Sequence, residues 1–142
     1  MSTARTCPPP PVPRGAPATL LLASTPEAIG AARDFTRGWF AARGFPEDTV
    51  FLAALVVTEL TTNAHRHGSR PGEVISLHLY LADAGPVVEV RDTSTAAPAV
   101  HPLTLDGVSG RGLATVERLA RRWGYRLLAS GGKTVYAVLN AT

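Results

Sequence analysis

The 142-residue sequence is poor in reactive and aromatic side chains, with one cysteine, one methionine and 6% aromatic residues. A lone Cys7 gives no disulfide framework, and it leaves a structural zinc site without its usual thiolate set. Charge is also scarce: 18% of residues are charged, the net charge is +3, and Lys133 is the single lysine among fourteen cations. That excess permits an anionic ligand but is too small to imply nucleic-acid binding. Arg118, Arg121, Arg122 and Arg126 form the one local basic cluster. They read as the solvated face of a helix and the strand after it, against the alternative of a basic helix that binds nucleic acid. No apolar run reaches the roughly 18 residues of a membrane span. No hydrophobic targeting segment precedes the early prolines. A cytoplasmic protein with no membrane partner is expected, and the terminal Asn140-Ala141-Thr142 sequon is read as chance.

Proline, by contrast, is concentrated. Six of the twelve prolines fall in the first 17 residues. The run Cys7–Pro17 therefore reads as an extended, disordered leader, and residues 18–142 as one domain of ordinary size. Within it, 19–23 (TLLLA) reads as a strand. A helix then starts at Thr25-Pro26-Glu27, with Thr25 placed to cap, and ends at Gly44. A second begins at Pro46-Glu47-Asp48 and stops at Gly68. The period then changes from helical to alternating: 74–81 and 87–90 predict a hairpin about Asp83–Pro86. Residues 93–110 have no usable periodicity, and a loop of that length in a small domain is usually functional. A third helix is predicted up to Trp123-Gly124, followed by a closing hairpin about Gly131-Gly132. The order β-α-α-β-β-loop-α-β-β implies a two-layer α/β sandwich, with a mixed or antiparallel sheet and helices on one face.

Two nucleotide motifs are suggested and fail. Gly132-Lys133-Thr134 looks like the end of a phosphate loop, but Leu127 stands where that loop needs glycine, and strands flank it. Lys133 then reads as a hairpin-turn residue. Gly110-Arg111-Gly112 lacks the third glycine of a dinucleotide fingerprint.

A sharper signal lies on the second helix, where Glu59, Asn63 and His67 recur every four residues. This is one polar stripe on an otherwise apolar element. A carboxylate one turn from a carboxamide suits a proton acceptor beside a neutral oxygen ligand for Mg²⁺. A solvent-facing stripe near a helix end is the plainer alternative. Asp92 closes an alternating strand, where a carboxylate can accept from a ligand amine. Gly107, Gly110 and Gly112 precede a helix whose N-terminal N–H groups, with Arg111, suit an anion. Together the three pieces describe a pocket for an adenine nucleotide with Mg²⁺.

These residues resemble a known family. Glu59–Gly68 (ELTTNAHRHG) is similar to the N box of the GHKL ATPases. Val90-Arg91-Asp92 resembles the start of their first glycine box, Gly110-Arg111-Gly112-Leu113 the second, and Gly132-Lys133-Thr134-Val135 the closing strand motif. The likeness runs over about residues 19–140. The small size resembles the anti-sigma-factor serine kinases of RsbW and SpoIIAB type, especially actinobacterial ones. The resemblance implies a Bergerat-type ATP-binding fold. By it Asn63 holds Mg²⁺, Glu59 is the general base and Asp92 reads the adenine amine. Gly110, Gly112 and their neighbours Gly107, Arg111 and Leu113 close over the phosphates of ATP, with His67 nearby and Thr134 near the base. The implied partners are an anti-anti-sigma (STAS-type) protein and a sigma factor, with homodimerisation open. The alternative is a catalytically weak adaptor that regulates a partner by binding alone. One departure stands out: Ser94 and Ala96 replace the glycines of the first box, so the floor under the nucleotide takes another path or binds less tightly.

If the domain begins at Ala18, a chain lacking residues 1–17 retains nucleotide binding. A thermal-shift titration with Mg-ATP checks this, and loss of the shift would move the boundary.

Overall fold

The computed structural model describes residues 2–3, 9–95, 99–100 and 112–140. Among these, the elements are β1 (Ser2–Thr3), β2 (Ala18–Ala23), α1 (Pro26–Ala42), α2 (Glu47–Asn63), β3 (Val74–Ala82), β4 (Gly85–Asp92), β5 (Ala99–Val100), α3 (Gly112–Leu119), β6 (Arg122–Leu127) and β7 (Lys133–Val138). Five strands form one sheet in the order β2-β3-β4-β7-β6, and every neighbouring pair is antiparallel. The short β1 and β5 pair separately, so residues 99–100 of the expected loop carry strand structure.

Strand alternation decides what each sheet face carries. Ile75, Leu77 and Leu79 of β3, Val88 and Val90 of β4, Val135 and Ala137 of β7, and Tyr125 of β6 all enter the main core. The same core takes Ala32, Trp39 and Phe40 from α1, Ala53, Val56, Val57 and Leu60 from α2, and Ala114 and Val116 from α3. The helices therefore cover one face, as the α/β sandwich requires. α2 is apolar around much of its circumference because it lies against α1, α3 and β4 at once. The other face bears a smaller cluster of Tyr80, Ala82, Val87, Tyr136 and Val138.

Several boundaries differ from expectation. Thr25 takes the extended N-cap conformation, but its hydroxyl donates to the Ala23 carbonyl at 3.5 Å and caps no helical N–H. α2 ends as an α-helix at Asn63 and widens into one π-turn, Ala64–Gly68, in which the Ser69 N–H donates to the Ala64 carbonyl at 2.8 Å. The third helix is shorter than predicted. Arg121 N–H donates to the Val138 carbonyl, and Arg122 through Leu127 pair along β7. Trp123 and Tyr125 consequently reach the core by strand alternation, two residues apart, and not from a helix.

Phe40 is fully buried and meets Trp39 edge-on at 5.0 Å and Phe45 at 5.1 Å. Phe40→Ala should lower unfolding free energy by about 3–5 kcal/mol, through lost burial and the cavity left behind, measured by denaturant titration.

Candidate functional site

The C-terminal part of α2, the π-turn and the adjoining ends of β4 and β7 meet on the helix-covered face. Glu59 and Asn63 stand one turn apart near the end of α2, both partly buried. Burial raises the Glu59 pKa above its usual 4.5, and the positive charge of Arg66 opposes this in part. His67 lies in the π-turn and is exposed.

The turn ends at Gly68 against Asp92. Any Cβ on Gly68 would collide with the Asp92 carboxylate, and one on Gly132 (φ +81°) would collide with the Asp92 carbonyl and crowd Thr93. Two glycines thus bring the backbone of both neighbouring segments onto a buried aspartate, which no larger residue allows. Asp92 Oδ1 accepts the Ser94 N–H at 2.9 Å, an Asx turn that redirects the chain where the first-box glycines are missing. Thr93 donates to Glu73 at 2.9 Å, and Glu73 also accepts the Arg70 N–H at 2.7 Å. These two hydrogen bonds lower the Glu73 pKa. Ser94 is held by this bond, and Ala96 lies outside the described residues.

The register of β4 and β7 sets Asp92 opposite Lys133 and Arg91 opposite Thr134. Lys133 points to the helix-covered face and pairs with Asp92, Nζ to Oδ1 at 3.0 Å, both side chains at most 2% exposed. Lys133 was expected in the hairpin turn; it is instead a buried strand residue and an unanticipated member of the site. Thr134 points to the opposite face, where its hydroxyl donates to Glu89 at 2.6 Å. Glu89 also accepts from Tyr80 at 2.9 Å and from Arg91 at 3.0 Å. Asp92 thus lies on the sheet face that α2, the element of Glu59 and Asn63, packs against, and Thr134 lies on the other. Gly107, Gly110 and Arg111 lie outside the described residues; Gly112 and Leu113 form the start of α3.

The donor set fits a magnesium nucleotide. Among the described residues no three His, Cys, Asp or Glu side chains converge on a metal position. Mg²⁺ does not require such a cage, since it is commonly held by one or two protein oxygens, with phosphates and water completing the shell. The Asn63 side-chain oxygen is of the kind that can supply such a ligand.

Residues 22–139 match the family model of the histidine kinase-like ATPase domain, and the chain belongs to that family. ATP binding follows as the family's property. A solved structure, the RsbU and RsbW domains of Rv1364c from Mycobacterium tuberculosis, is similar with a TM-score of 0.66 and 22% identity, covering 89% of this chain and 32% of that one. This chain spans about a third of that structure's length, and the likeness shows a shared fold. No curated protein matches the chain. Among the described residues, no helix is long and apolar enough to cross a membrane.

Because burial raises the folded-state pKa of Glu59, ionising it costs stability, and that cost enters as pH rises through the folded value. Glu59→Gln should be at least as stable as wild type at neutral pH, with the difference closing below a pH of about 4. Melting temperature measured across pH checks this; a markedly less stable variant at neutral pH would contradict it.

Proposed function

We propose that this domain is a Mg-ATP-dependent protein serine/threonine kinase of anti-sigma type, acting on a hydroxyl of a separate, small STAS-type anti-anti-sigma protein. The observation that carries the reading is Glu59, a carboxylate of raised pKa one helical turn from Asn63. A base with its pKa lifted toward neutrality is better matched to taking a hydroxyl proton. The family membership and the fold shared with an RsbW-containing structure support the same reading.

In this scheme Asn63 offers its side-chain oxygen to the metal, which when bound neutralises charge on the phosphates. Glu59 accepts the proton of the serine hydroxyl as its oxygen bonds to the γ-phosphorus and ADP departs. Asp92 accepts from the base amine. Gly110, Arg111, Gly112 and Leu113 are proposed, from the motif resemblance, to close over the phosphates. The domain is proposed to act in the cytoplasm and to hold a sigma factor when the anti-anti-sigma protein is not free.

Incubation with [γ-³²P]ATP, Mg²⁺ and candidate STAS-domain proteins should label a serine or threonine of the partner. Glu59→Ala should reduce labelling by at least about a hundredfold, in the range lost with a general base, while ATP still raises the melting temperature. A nucleotide-stabilised protein that labels no partner would instead indicate an adaptor that regulates by binding alone.

A further inference from the structure

The two edges of the main sheet are unlike. β6 carries Arg122 and Arg126, charged side chains of the kind that discourage strand addition at an edge. β2, the other edge, reads ATLLLA, with no charge and no proline. Its backbone orientation follows from the residue after it. The Ser24 N–H donates to the Glu73 carbonyl at 2.7 Å and the Ser24 carbonyl accepts from Gly72 at 3.1 Å, so Ser24 turns its backbone groups to the β3 side. Alternation then turns those of Leu22 and Leu20 to β3, and those of Thr19, Leu21 and Ala23 outward. Among the described residues the outward groups take one contact, from the Thr25 hydroxyl to the Ala23 carbonyl at 3.5 Å.

Apolar surface flanks that open ladder on both faces. Away from the helices, Leu21 is 68% exposed and Val74, diagonal to it on β3, is 56% exposed. Leu20 and Leu22 point to the helix side, where the core covers them only in part. An open, uncharged, apolar edge is a template for another strand, and a second copy of β2 fits it. In an antiparallel pairing centred on Leu21, Leu21 faces Leu21 of the second copy and Thr19 faces its Ala23. Every outward N–H and C=O then meets an outward partner. Leu20 lies opposite Leu22 of the second copy, in the closer positions between the hydrogen-bonded pairs. No like charges meet, because the strand has none.

We infer that β2 is a homodimerisation strand: two copies join edge to edge about a two-fold axis at Leu21 and merge their sheets into one. The inference is independent of the catalytic reading above. Ala23, Val74, Asp92 and Lys133 lie at one end of the sheet. The antiparallel join sends that end of each copy in opposite directions, so it does not set one site against the other.

Sedimentation equilibrium of the full chain tests this. Wild type should pass from 14.9 kDa to twice that mass as its concentration rises, with a dissociation constant below about 1 mM. Leu21→Lys and Leu21→Glu each set like charges face to face at the axis, and each should weaken the dimer by at least about tenfold. An equimolar mixture of the two variants should restore it, because the axis then brings opposite charges together. Leu21 is exposed, so in dilute solution both variants should melt with wild type. A wild type that stays monomeric up to about 1 mM would overturn the inference. So would a dimer that both variants keep, which would place the interface elsewhere. Variants that are monomeric alone and stay monomeric when mixed would overturn the Leu21-centred pairing.

Discussion

The antiparallel register between β4 and β7 is the constraint from which the site follows. It sets Asp92 opposite Lys133 and Val90 opposite Val135, so one sheet face carries both a hydrophobic core and, at its end, a buried ion pair. Side chains alternate with period two, so a slip of one residue would send Lys133 to the far face and bring Thr134 to Asp92. The same slip would turn Val135 out of the main core and Tyr136 into it. Core packing therefore fixes which polar residue meets the aspartate.

Burial on both faces reinforces that choice. Glu89 accepts three hydrogen bonds from Tyr80, Thr134 and Arg91, so the far face has its own demand for the Thr134 hydroxyl. Leaving a buried carboxylate short of donors costs on the order of 1–3 kcal/mol per lost partner. Two buried acids, Glu89 and Asp92, three residues apart on one strand and facing opposite ways, each hold a different residue of β7. The register is specified by polar matching as well as by the apolar pattern.

Much of the architecture was legible because hydrophobic period changes are strong signals. The alternation in 74–81 and 87–90 and the helical spacing through Leu60 gave the element order and the single helical layer. The order of short motifs around Glu59, Asn63 and Asp92 pointed to the family that the chain belongs to. The misreadings have physical causes. Arg121 to Gly124 continue a helix-like spacing, and only pairing with β7, a long-range contact, makes them strand. Lys133 follows two glycines, which locally announce a turn, and Thr134 drew attention through motif resemblance. Counting alternation outward from Asp92 across the paired strand would have found Lys133. That signal was present, but it requires the register and not the sequence window. The π-turn at Ala64–Gly68 has no local signature, and it ends where Gly68 packs against Asp92, a contact between residues far apart in sequence.

That close approach makes the five-residue π-turn a short mechanical link. It is anchored at one end beside Asn63 and pressed at the other against the Asp92 carboxylate. No residue larger than glycine fits at that contact, so the spacing between the end of α2 and Asp92 is fixed by Gly68. The turn thus ties the end of α2 to the end of β4 through backbone and one carboxylate, with no side chain of its own between them.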